Sequence, residues 1–247
     1  ETPERVAALK ARTGKPVKYI FLMRDGYMPM KAFAELHPDL ADRAIAAEIS
    51  RFTAIGASLT DVAAIDAYVI PNLGIDESSG IDPKMICRQL GLKPEESKSL
   101  ALEDRQSFRA SIVDNFASRI IKRSRAFSDR LFAYLGKLGI ARGDAVMMVD
   151  IGYNGTVQNF LEPVLRERLG LEVSGRYLAL RQVYSNMLDK RGYLDARNYD
   201  VKLLTACYEA IGVVEEFLNL AQGSVVDYKA DGTPVRQASS KKDAQSD

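Results

Sequence analysis

Short apolar runs along the chain alternate with segments of helical period. Residues 17–23 and 145–149 are nearly continuous, β-prone runs, as in strands that are buried on both faces of a sheet. Residues 177–180 form a further run, and residues 44–50 form a weaker one because alanine is frequent in it. Strands that alternate with helices predict an α/β fold, in which helices flank a mostly parallel central sheet.

Apolar residues at intervals of three and four predict the helices between these strands. We predict helices over residues 28–36, 60–70, 157–169 and 201–221. From about residue 82 to residue 140 the helical period continues with many charges, which predicts a helical insertion or cap. Residues 1–236 are therefore expected to form one domain that contains this insertion. The polar, aperiodic residues 237–247 are expected to be a disordered tail.

The composition limits the classes of function. The 247-residue chain carries 34 Lys and Arg against 33 Asp and Glu, whereas a broad nucleic-acid interface needs a basic excess. His37 is the single histidine, which excludes a histidine pair or a His-rich metal site. Cys87 and Cys207 lie among apolar residues and are expected to be buried, reduced thiols. We therefore expect no nucleic-acid partner, and an anionic ligand would have to be bound by local groups.

The sequence predicts no transmembrane segment. No apolar run reaches the roughly 18 residues of a membrane span. The first residues, 1–5, resemble a helix cap more than a signal peptide. We expect a cytoplasmic protein, with the inner face of the membrane as an alternative location.

The turn after the strand at 145–149 has the residue types of a phosphate-binding site. Asp150 ends the strand, Gly152 and Gly155 permit unusual backbone angles, and a helix follows. Several N–H groups, the positive end of the helix dipole and the Thr156 hydroxyl can then converge on one phosphate. Asp150 is placed to accept hydrogen bonds from ribose hydroxyls, and Asn154 lies in the same turn. The alternative is a simple strand-to-helix connection.

A second candidate turn, Arg24-Asp25-Gly26, follows the first strand. Its arginine supplies fork-like donors and its glycine lets backbone N–H groups approach an anion, although such a triplet can also be an ordinary surface turn. Arg51, after the weaker strand, is either a ligand-binding cation or a solvated surface arginine. Ligands bind beyond the carboxyl ends of parallel strands. The two turns therefore predict one site for a ligand with phosphate at both ends.

Residues 146–150, with the following Gly/Asn/Thr turn and helix, resemble the strand and loop of type I phosphoribosyltransferases that bind 5-phosphoribosyl 1-pyrophosphate (PRPP). The resemblance implies that the loop binds the 5-phosphate and that Asp150 holds the ribose hydroxyls and contacts Mg²⁺ through the substrate. Arg24-Asp25-Gly26 stands in the place of the family's pyrophosphate loop. The family usually has two consecutive acids, whereas this chain has Asp150-Ile151 and a shorter turn.

A closer resemblance covers most of the chain. Its motifs are, in order, Phe21-Leu22-Met23-Arg24-Asp25-Gly26-Tyr27, Ile49-Ser50-Arg51, Val149-Asp150-Ile151-Gly152-Tyr153-Asn154-Gly155-Thr156-Val157-Gln158, and Val214-Glu215-Glu216-Phe217 with Gly223-Ser224. They resemble a bacterial polysaccharide-biosynthesis family that is often joined to a haloacid-dehalogenase-type phosphatase. The resemblance implies transfer of 5-phosphoribose from PRPP to a glycan hydroxyl with release of pyrophosphate. A phosphatase domain or protein would then remove the 5-phosphate to leave ribofuranose. The phosphatase motif Asp-x-Asp-x-Thr or -Val does not follow the first strand, so the chain would be the transferase half.

Such a transfer builds negative charge on the leaving pyrophosphate and positive charge on the ribose ring. Mg²⁺ that bridges pyrophosphate and ribose oxygens is expected to stabilise much of the leaving charge. Arg24 and the backbone of Asp25 and Gly26, helped by Arg51, are expected to stabilise the rest.

The acceptor hydroxyl is a poor nucleophile and needs a general base. Asp25 is the first candidate, and Glu215 or Glu216 is the second. A solvated helix face is the alternative interpretation of the two glutamates. Tyr153 and Asn154 are candidates for contact with the sugar or its phosphate.

Two other functions compete with the transferase. A catalytically inactive phosphoribosyltransferase fold that senses a nucleotide is the main alternative, and the missing second acid favours it. A sugar kinase that uses residues 150–156 as its phosphate turn is a third hypothesis, but that family places the turn early, in a β-hairpin. The basic residues between 119 and 130 are either a solvated helix face or a lid over PRPP.

Overall fold

Five parallel strands form the central sheet of the computed structural model. They are β1 (Val17–Leu22), β2 (Ala44–Ala47), β3 (Ala145–Asp150), β4 (Glu172–Leu180) and β5 (Lys190–Asp195), in the spatial order β2-β1-β3-β4-β5. The structure describes residue 7 and residues 13–23, 25–74, 81–100, 104–152, 154–181, 188–218 and 222–237. The predicted α/β fold with a parallel central sheet flanked by helices is confirmed.

The direction of the chain across the sheet reverses between β1 and β3. From β1 the chain moves outward to β2 and then crosses back to β3 on the other side of β1. Phe21 of β1 lies in register with Ala46 of β2 and with Val149 of β3. The carboxyl ends of β1 and β3 are therefore neighbours, and a crevice at such a reversal is where ligands bind in open α/β sheets.

Helices cover both faces of this sheet. The described helices are α1 (Tyr27–Leu36), α2 (Arg51–Ser58), α3 (Val62–Leu73), α4 (Pro83–Gln89), α5 (Pro94–Ser97), α6 (Arg105–Lys137), α7 (Thr156–Leu169) and α8 (Val201–Leu218), with a 3₁₀ helix at Pro38–Arg43. A two-stranded antiparallel hairpin, β6 (Val225–Tyr228) and β7 (Pro234–Arg236), follows α8. Gly170 follows α7 in a left-handed conformation, which is typical of a glycine at the end of a helix.

Alternate residues of the central strands enter two cores. Ile20 and Met148 pack with Leu135 of α6 and Leu161 of α7 on one face of the sheet. On the other face, Tyr19, Phe21 and Met147 pack with Phe33 of α1. Burial on both faces explains why these strands are continuous apolar runs in the sequence.

A third apolar cluster joins α2 and α3 to the helical segment that the sequence predicts between residues 82 and 140. Ile65 of α3 and Ile86 of α4 pack there against Phe108 and Ile112 of α6. Helix α6 belongs to this cluster and also to a core of the sheet, because Leu131, Tyr134 and Leu135 near its end pack on the sheet. The described residues of the segment form three helices joined by turns, and α6 connects the segment to the core of the sheet.

Several elements differ from the predicted ones. Strand β2 is only four residues long, and a helix that the sequence did not predict, α2, begins at Arg51. Ser50 and Thr53 form a reciprocal capping box that starts this helix. Strand β5 and the β6–β7 hairpin were also missed. Strand β4 begins at Glu172 rather than Tyr177. Helix α8 is described to Leu218, and residues 219–221 of the predicted helix lie outside the described residues.

The two cysteines are free thiols, with Cys87 buried and Cys207 half-buried. Burial raises the pKa of the Cys87 thiol to about 11, so this thiol is protonated at neutral pH. Of the predicted tail, Gln237 is described, and its N–H donates to the Ser224 carbonyl oxygen. Residues 238–247 lie outside the described residues.

Candidate functional site

A cleft of about 550 Å³ opens at the edge of the sheet where the carboxyl ends of β1 and β3 meet. It contains most of the residues that the sequence singles out for ligand binding or catalysis: Asp25, Arg51, Asp150, Gly152, Asn154, Gly155, Thr156 and Glu215. The starts of α2 and α7, the residues that lead into β6, and helix α4 form its other walls. The two turns expected to form one site therefore do lie side by side.

The remaining candidates are not placed on this cleft. Arg24 and Tyr153 lie outside the described residues, as does the side chain of Glu216, whose backbone belongs to α8. Gly26 is buried, and its N–H donates to the Leu22 carbonyl oxygen at 2.9 Å. A Cβ on Gly26 would overlap that same oxygen. Glycine is thus needed at residue 26 for a tight turn, and its N–H is not presented to a ligand.

Asp25 and Asp150 both line the cleft, and they are close enough for the charge of Asp25 to act on the Asp150 carboxyl. Burial, and then the charge of Asp25, raise the pKa of Asp150 to about 6. Hydrogen bonds from the backbone N–H groups of Ile151 and Gly152 and the charge of Arg51 oppose that rise without cancelling it. The site therefore holds two carboxylates whose repulsion a proton or a cation would relieve.

These hydrogen bonds change the expected phosphate cradle. Because the N–H groups of Ile151 and Gly152 donate to Asp150, they are not directed at a ligand. Helix α7 begins two residues after Asn154, and no side chain of the described residues caps its N-terminus. The first-turn N–H groups of a helix have no partners within the helix. An anion at this turn would therefore be bound by the start of α7 and the Thr156 hydroxyl.

Gly152 and Gly155 are needed for the packing of the turn as well as for its backbone angles. Both have positive φ, 34° and 60°. A Cβ on Gly152 would lie 2.7 Å from Cδ1 of Tyr177, and a Cβ on Gly155 would lie 2.8 Å from the Tyr177 hydroxyl. The turn is thus seated directly on this aromatic ring, and larger residues here would disturb the fold together with the site.

A buried lysine, which the sequence analysis missed, supports the turn from beneath. Lys190 of β5 is 2% exposed, and its Nζ donates to Asn159 Oδ1 at 2.7 Å. Asn159 Nδ2 in turn donates to the Asn154 carbonyl oxygen at 3.1 Å. Burial lowers the pKa of Lys190, while the charge of Glu162 acts in the opposite direction. A cation and an amide therefore hold the turn from the side opposite the cleft.

A second polar network joins α7 to β4 behind the turn. The Tyr177 hydroxyl donates to Gln158 Oε1 at 2.7 Å, and Gln158 Nε2 donates to Glu162 Oε2 at 2.7 Å. Arg166 Nε donates to the other oxygen of Glu162 at 2.7 Å. Gln158 and Glu162 are fully buried, so each polar group needs this partner to offset its desolvation.

Arg51 is placed in the cleft by the start of α2. It is the first residue of the helix, after the Ser50 cap, and the Ser50 hydroxyl also donates to the Val225 carbonyl oxygen at 2.7 Å. Among the described residues Arg51 has no hydrogen bond or ion pair, and its charge favours the ionised form of Asp150. The guanidinium is therefore available to an anionic ligand beside the carboxylate pair.

Two glutamates, Glu48 and Glu215, line the cleft. Glu48 is held by Arg236 in a bidentate ion pair, with Arg236 Nε 2.6 Å from Oε2 and Nη2 2.5 Å from Oε1. Glu215 projects from α8 and is half-buried at the cleft wall. The ion pair engages Glu48, and Glu215 stays the glutamate of the cleft that the sequence predicts as a base.

The basic stretch of α6 does not line the cleft. Arg119 and Arg123 both pair with Glu96, and Arg130 pairs with Asp227. These pairs hold three arginines of the stretch on other parts of the fold. The pairing favours the interpretation of the stretch as a solvated helix face over its interpretation as a lid over PRPP. The carboxyl pKa of Glu96 is lowered to about 2, chiefly by its hydrogen bond from Arg123.

The carboxylate pair fits a magnesium ion that is shared with a phosphate ligand. In the described part of the chain, no group of three or more His, Cys, Asp or Glu side chains could hold a metal ion. Mg²⁺ is commonly bound by one or two carboxylates together with substrate phosphates and water. The proximity of Asp25 and Asp150 meets that requirement, and a divalent cation would offset the repulsion that raises the Asp150 pKa.

Comparison with known protein-family models and with curated protein sequences gives no match to this chain. The function is therefore inferred from the site. Within the described residues, no helix is both long and apolar enough to cross a membrane.

Proposed function

We propose that the protein is a glycan phosphoribosyltransferase, which moves 5-phosphoribose from PRPP to a sugar hydroxyl of a bacterial polysaccharide and releases pyrophosphate. One observation carries the proposal: Asp25 and Asp150 line the same cleft at the reversal point between β1 and β3, and the charge of Asp25 acts on Asp150. Arg51 and the uncapped start of α7 lie in the same cleft. This combination suits a ligand with two phosphate groups and a ribose between them.

The proposal assigns binding groups to three parts of the donor: the 5-phosphate, the ribose and the pyrophosphate. Its 5-phosphate binds the first-turn N–H groups of α7 and the Thr156 hydroxyl. Its ribose hydroxyls donate to Asp150. The buried Oδ1 of Asn154, which has no hydrogen-bond partner among the described residues, can accept a further one. Its pyrophosphate lies against Arg51, whose planar fork suits phosphate oxygens.

Asp25 and Asp150 would hold Mg²⁺ together with oxygens of the donor. The cation would supply charge stabilisation to the leaving pyrophosphate. Within the protein, Arg51 stabilises the same developing charge, and the N–H groups of α7 hold the opposite end of the donor in place.

The reaction forms one bond and breaks one. The acceptor oxygen bonds to C1 of the ribose, the bond from C1 to the pyrophosphate oxygen breaks, and its electron pair leaves with pyrophosphate. The hydroxyl proton passes in the proposed mechanism to the oxygen of Asp25 that does not bind the cation, with Glu215 as the alternative base. The product retains a 5-phosphate, so we expect a phosphatase domain or protein to act next.

The direct test is pyrophosphate release by the purified protein with PRPP, Mg²⁺ and a panel of sugar acceptors. We expect release, with a product heavier than the acceptor by one phosphoribosyl group. Asp150→Asn should lower the rate about 100-fold or more, because it removes a charge beside the reacting centre. Asp66→Asn is the matched control, since Asp66 pairs with Arg109 away from the cleft, and it should retain the rate.

Other outcomes identify the competing functions. Tight binding of PRPP without turnover on any acceptor would support the nucleotide-sensing alternative. Release of orthophosphate in place of pyrophosphate would show that the carboxylate pair serves phosphoester hydrolysis. Equal rates for wild type and Asp150→Asn would remove Asp150 from the site.

A further inference from the structure

Helix α4 forms a wall of the cleft that the donor does not account for. Met85, Arg88 and Gln89 all line the cleft, and their spacing of three and four residues places them on one face of the helix. Gln89 Nε2 donates to the Phe52 carbonyl oxygen at 2.9 Å, which fixes this face beside the start of α2. The wall is therefore a defined part of the site.

Arg88 is a second guanidinium in the cleft with no described partner. The cationic side chains that line the cleft in the described residues are Arg51 and Arg88. The guanidinium of Arg88 is exposed and makes no hydrogen bond or ion pair among those residues. In contrast, Arg109 and Arg123 of the same helical segment pair with carboxylates. In the proposed donor complex, one phosphate lies at α7 and the pyrophosphate at Arg51. Arg88 remains as a third binding group for an anion.

Exposed apolar side chains lie next to this cation. Met85 is 60% exposed and Ile81 is 38% exposed, and both line the cleft. The buried ring of Tyr68 also lines the cleft. Apolar groups at a polar cleft wall are suited to the carbon–hydrogen faces of a sugar ring, while the guanidinium binds a carboxylate or a phosphate on it.

We propose that the wall formed by Ile81, Met85 and Arg88 is the acceptor subsite, and that the acceptor is an anionic sugar bearing a carboxylate or a phosphate. The inference rests on the transferase function proposed above. It adds the chemical class of the second substrate, which the donor-binding residues do not define.

The test measures sugar binding without PRPP, so that its outcome is independent of the transferase activity. Saturation-transfer NMR would compare methyl glucuronoside, glucose 6-phosphate and methyl glucoside as probes. We expect at least one anionic probe to bind about tenfold more tightly than the neutral one. Whichever anionic probe binds more tightly shows whether the acceptor carries a carboxylate or a phosphate. Arg88→Gln should remove this preference, whereas Arg109→Gln, which alters a paired arginine outside the cleft, should keep it.

A parallel titration with PRPP and Mg²⁺ separates this subsite from the donor site. Arg88→Gln should leave PRPP affinity within about twofold of wild type. Equal binding of charged and neutral sugars, or an unchanged preference in Arg88→Gln, would overturn the subsite. A tenfold loss of PRPP affinity in Arg88→Gln would overturn it too, because Arg88 would then belong to the donor site. Anionic sugar binding through Arg88 without any PRPP turnover would uphold the subsite and reject the transferase.

Discussion

At the residue scale, Asp150 is a carboxyl whose environment disfavours its charged form. Its carboxyl is buried beside another carboxyl, and its pKa rises to about 6 in the folded protein. An aspartate normally titrates near 4, so the folded state binds a proton more tightly than the unfolded state does. This contribution to stability is fully present below about pH 4 and is lost as the pH rises through about 6. The charge that serves the proposed reaction therefore destabilises the fold.

Asp150→Asn should accordingly stabilise the protein at pH 8. The amide keeps an acceptor for the N–H groups of Ile151 and Gly152 but carries no charge. We expect the free energy of unfolding to increase by about 2–3 kcal/mol at pH 8 and to be unchanged near pH 4. Urea denaturation at the two pH values measures the difference.

Asp144→Asn provides a control of opposite sign. Burial acts to raise the pKa of Asp144, but hydrogen bonds from Lys18, the Ala141 N–H and Lys15 lower it overall. Its carboxyl lies 2.7 Å from Lys18 Nζ and 3.0 Å from Lys15 Nζ. Asp144→Asn should destabilise the protein at neutral pH by about 1–3 kcal/mol, and the loss should shrink in acid. If Asp150→Asn also destabilised the protein at pH 8, Asp150 would be stabilised in its charged form, which contradicts the prediction.

At the element scale, the position of the turn between β3 and α7 depends on how closely α7 packs on β4. Gly175 of β4 lies beneath Gln158, the residue that links Tyr177 to Glu162. A Cβ on Gly175 would overlap Gln158 Oε1 and would lie 2.8 Å from Cε2 of Tyr177. The close approach of strand and helix is therefore possible only with glycine at residue 175.

Gly175→Ala should destabilise the protein by about 1–3 kcal/mol, because Gln158 must move and its buried hydrogen bonds weaken. Gly136→Ala is the matched control: Gly136 is exposed in α6, and a Cβ there meets nothing within 4 Å. That substitution should stabilise the helix by up to about 1 kcal/mol. Chemical denaturation of both variants checks the pair, and a neutral Gly175→Ala would contradict the packing described for α7.

The elements that the sequence predicts well are those whose pattern follows directly from burial. Strands β1 and β3 are buried on both faces and are continuous apolar runs. Strand β5 was missed because it places Lys190 and Asp195 in the interior, where each is held by polar partners. Helix α2 was missed because its capping box uses Thr53 in place of the usual Glu or Gln.

At the scale of the whole molecule, the site depends on which strands are neighbours. The local patterns predict acids after two strands, and the structure brings the two acids together because β3 pairs directly with β1. A long helical segment separates these strands along the chain, so the pairing cannot be read from local periodicity. Arg88 and Lys190 reach the site only through this tertiary arrangement, and neither stands in a motif that would single it out.

The central claim is that one cleft between the ends of β1 and β3 binds a doubly phosphorylated ribose. A crystal structure of the protein soaked with PRPP and Mg²⁺ tests it most directly. The account predicts the 5-phosphate at the start of α7 beside Thr156, the ribose on Asp150, and the pyrophosphate against Arg51 with the cation on the carboxylate pair. PRPP bound on another face, or an empty cleft at a saturating concentration, would contradict it.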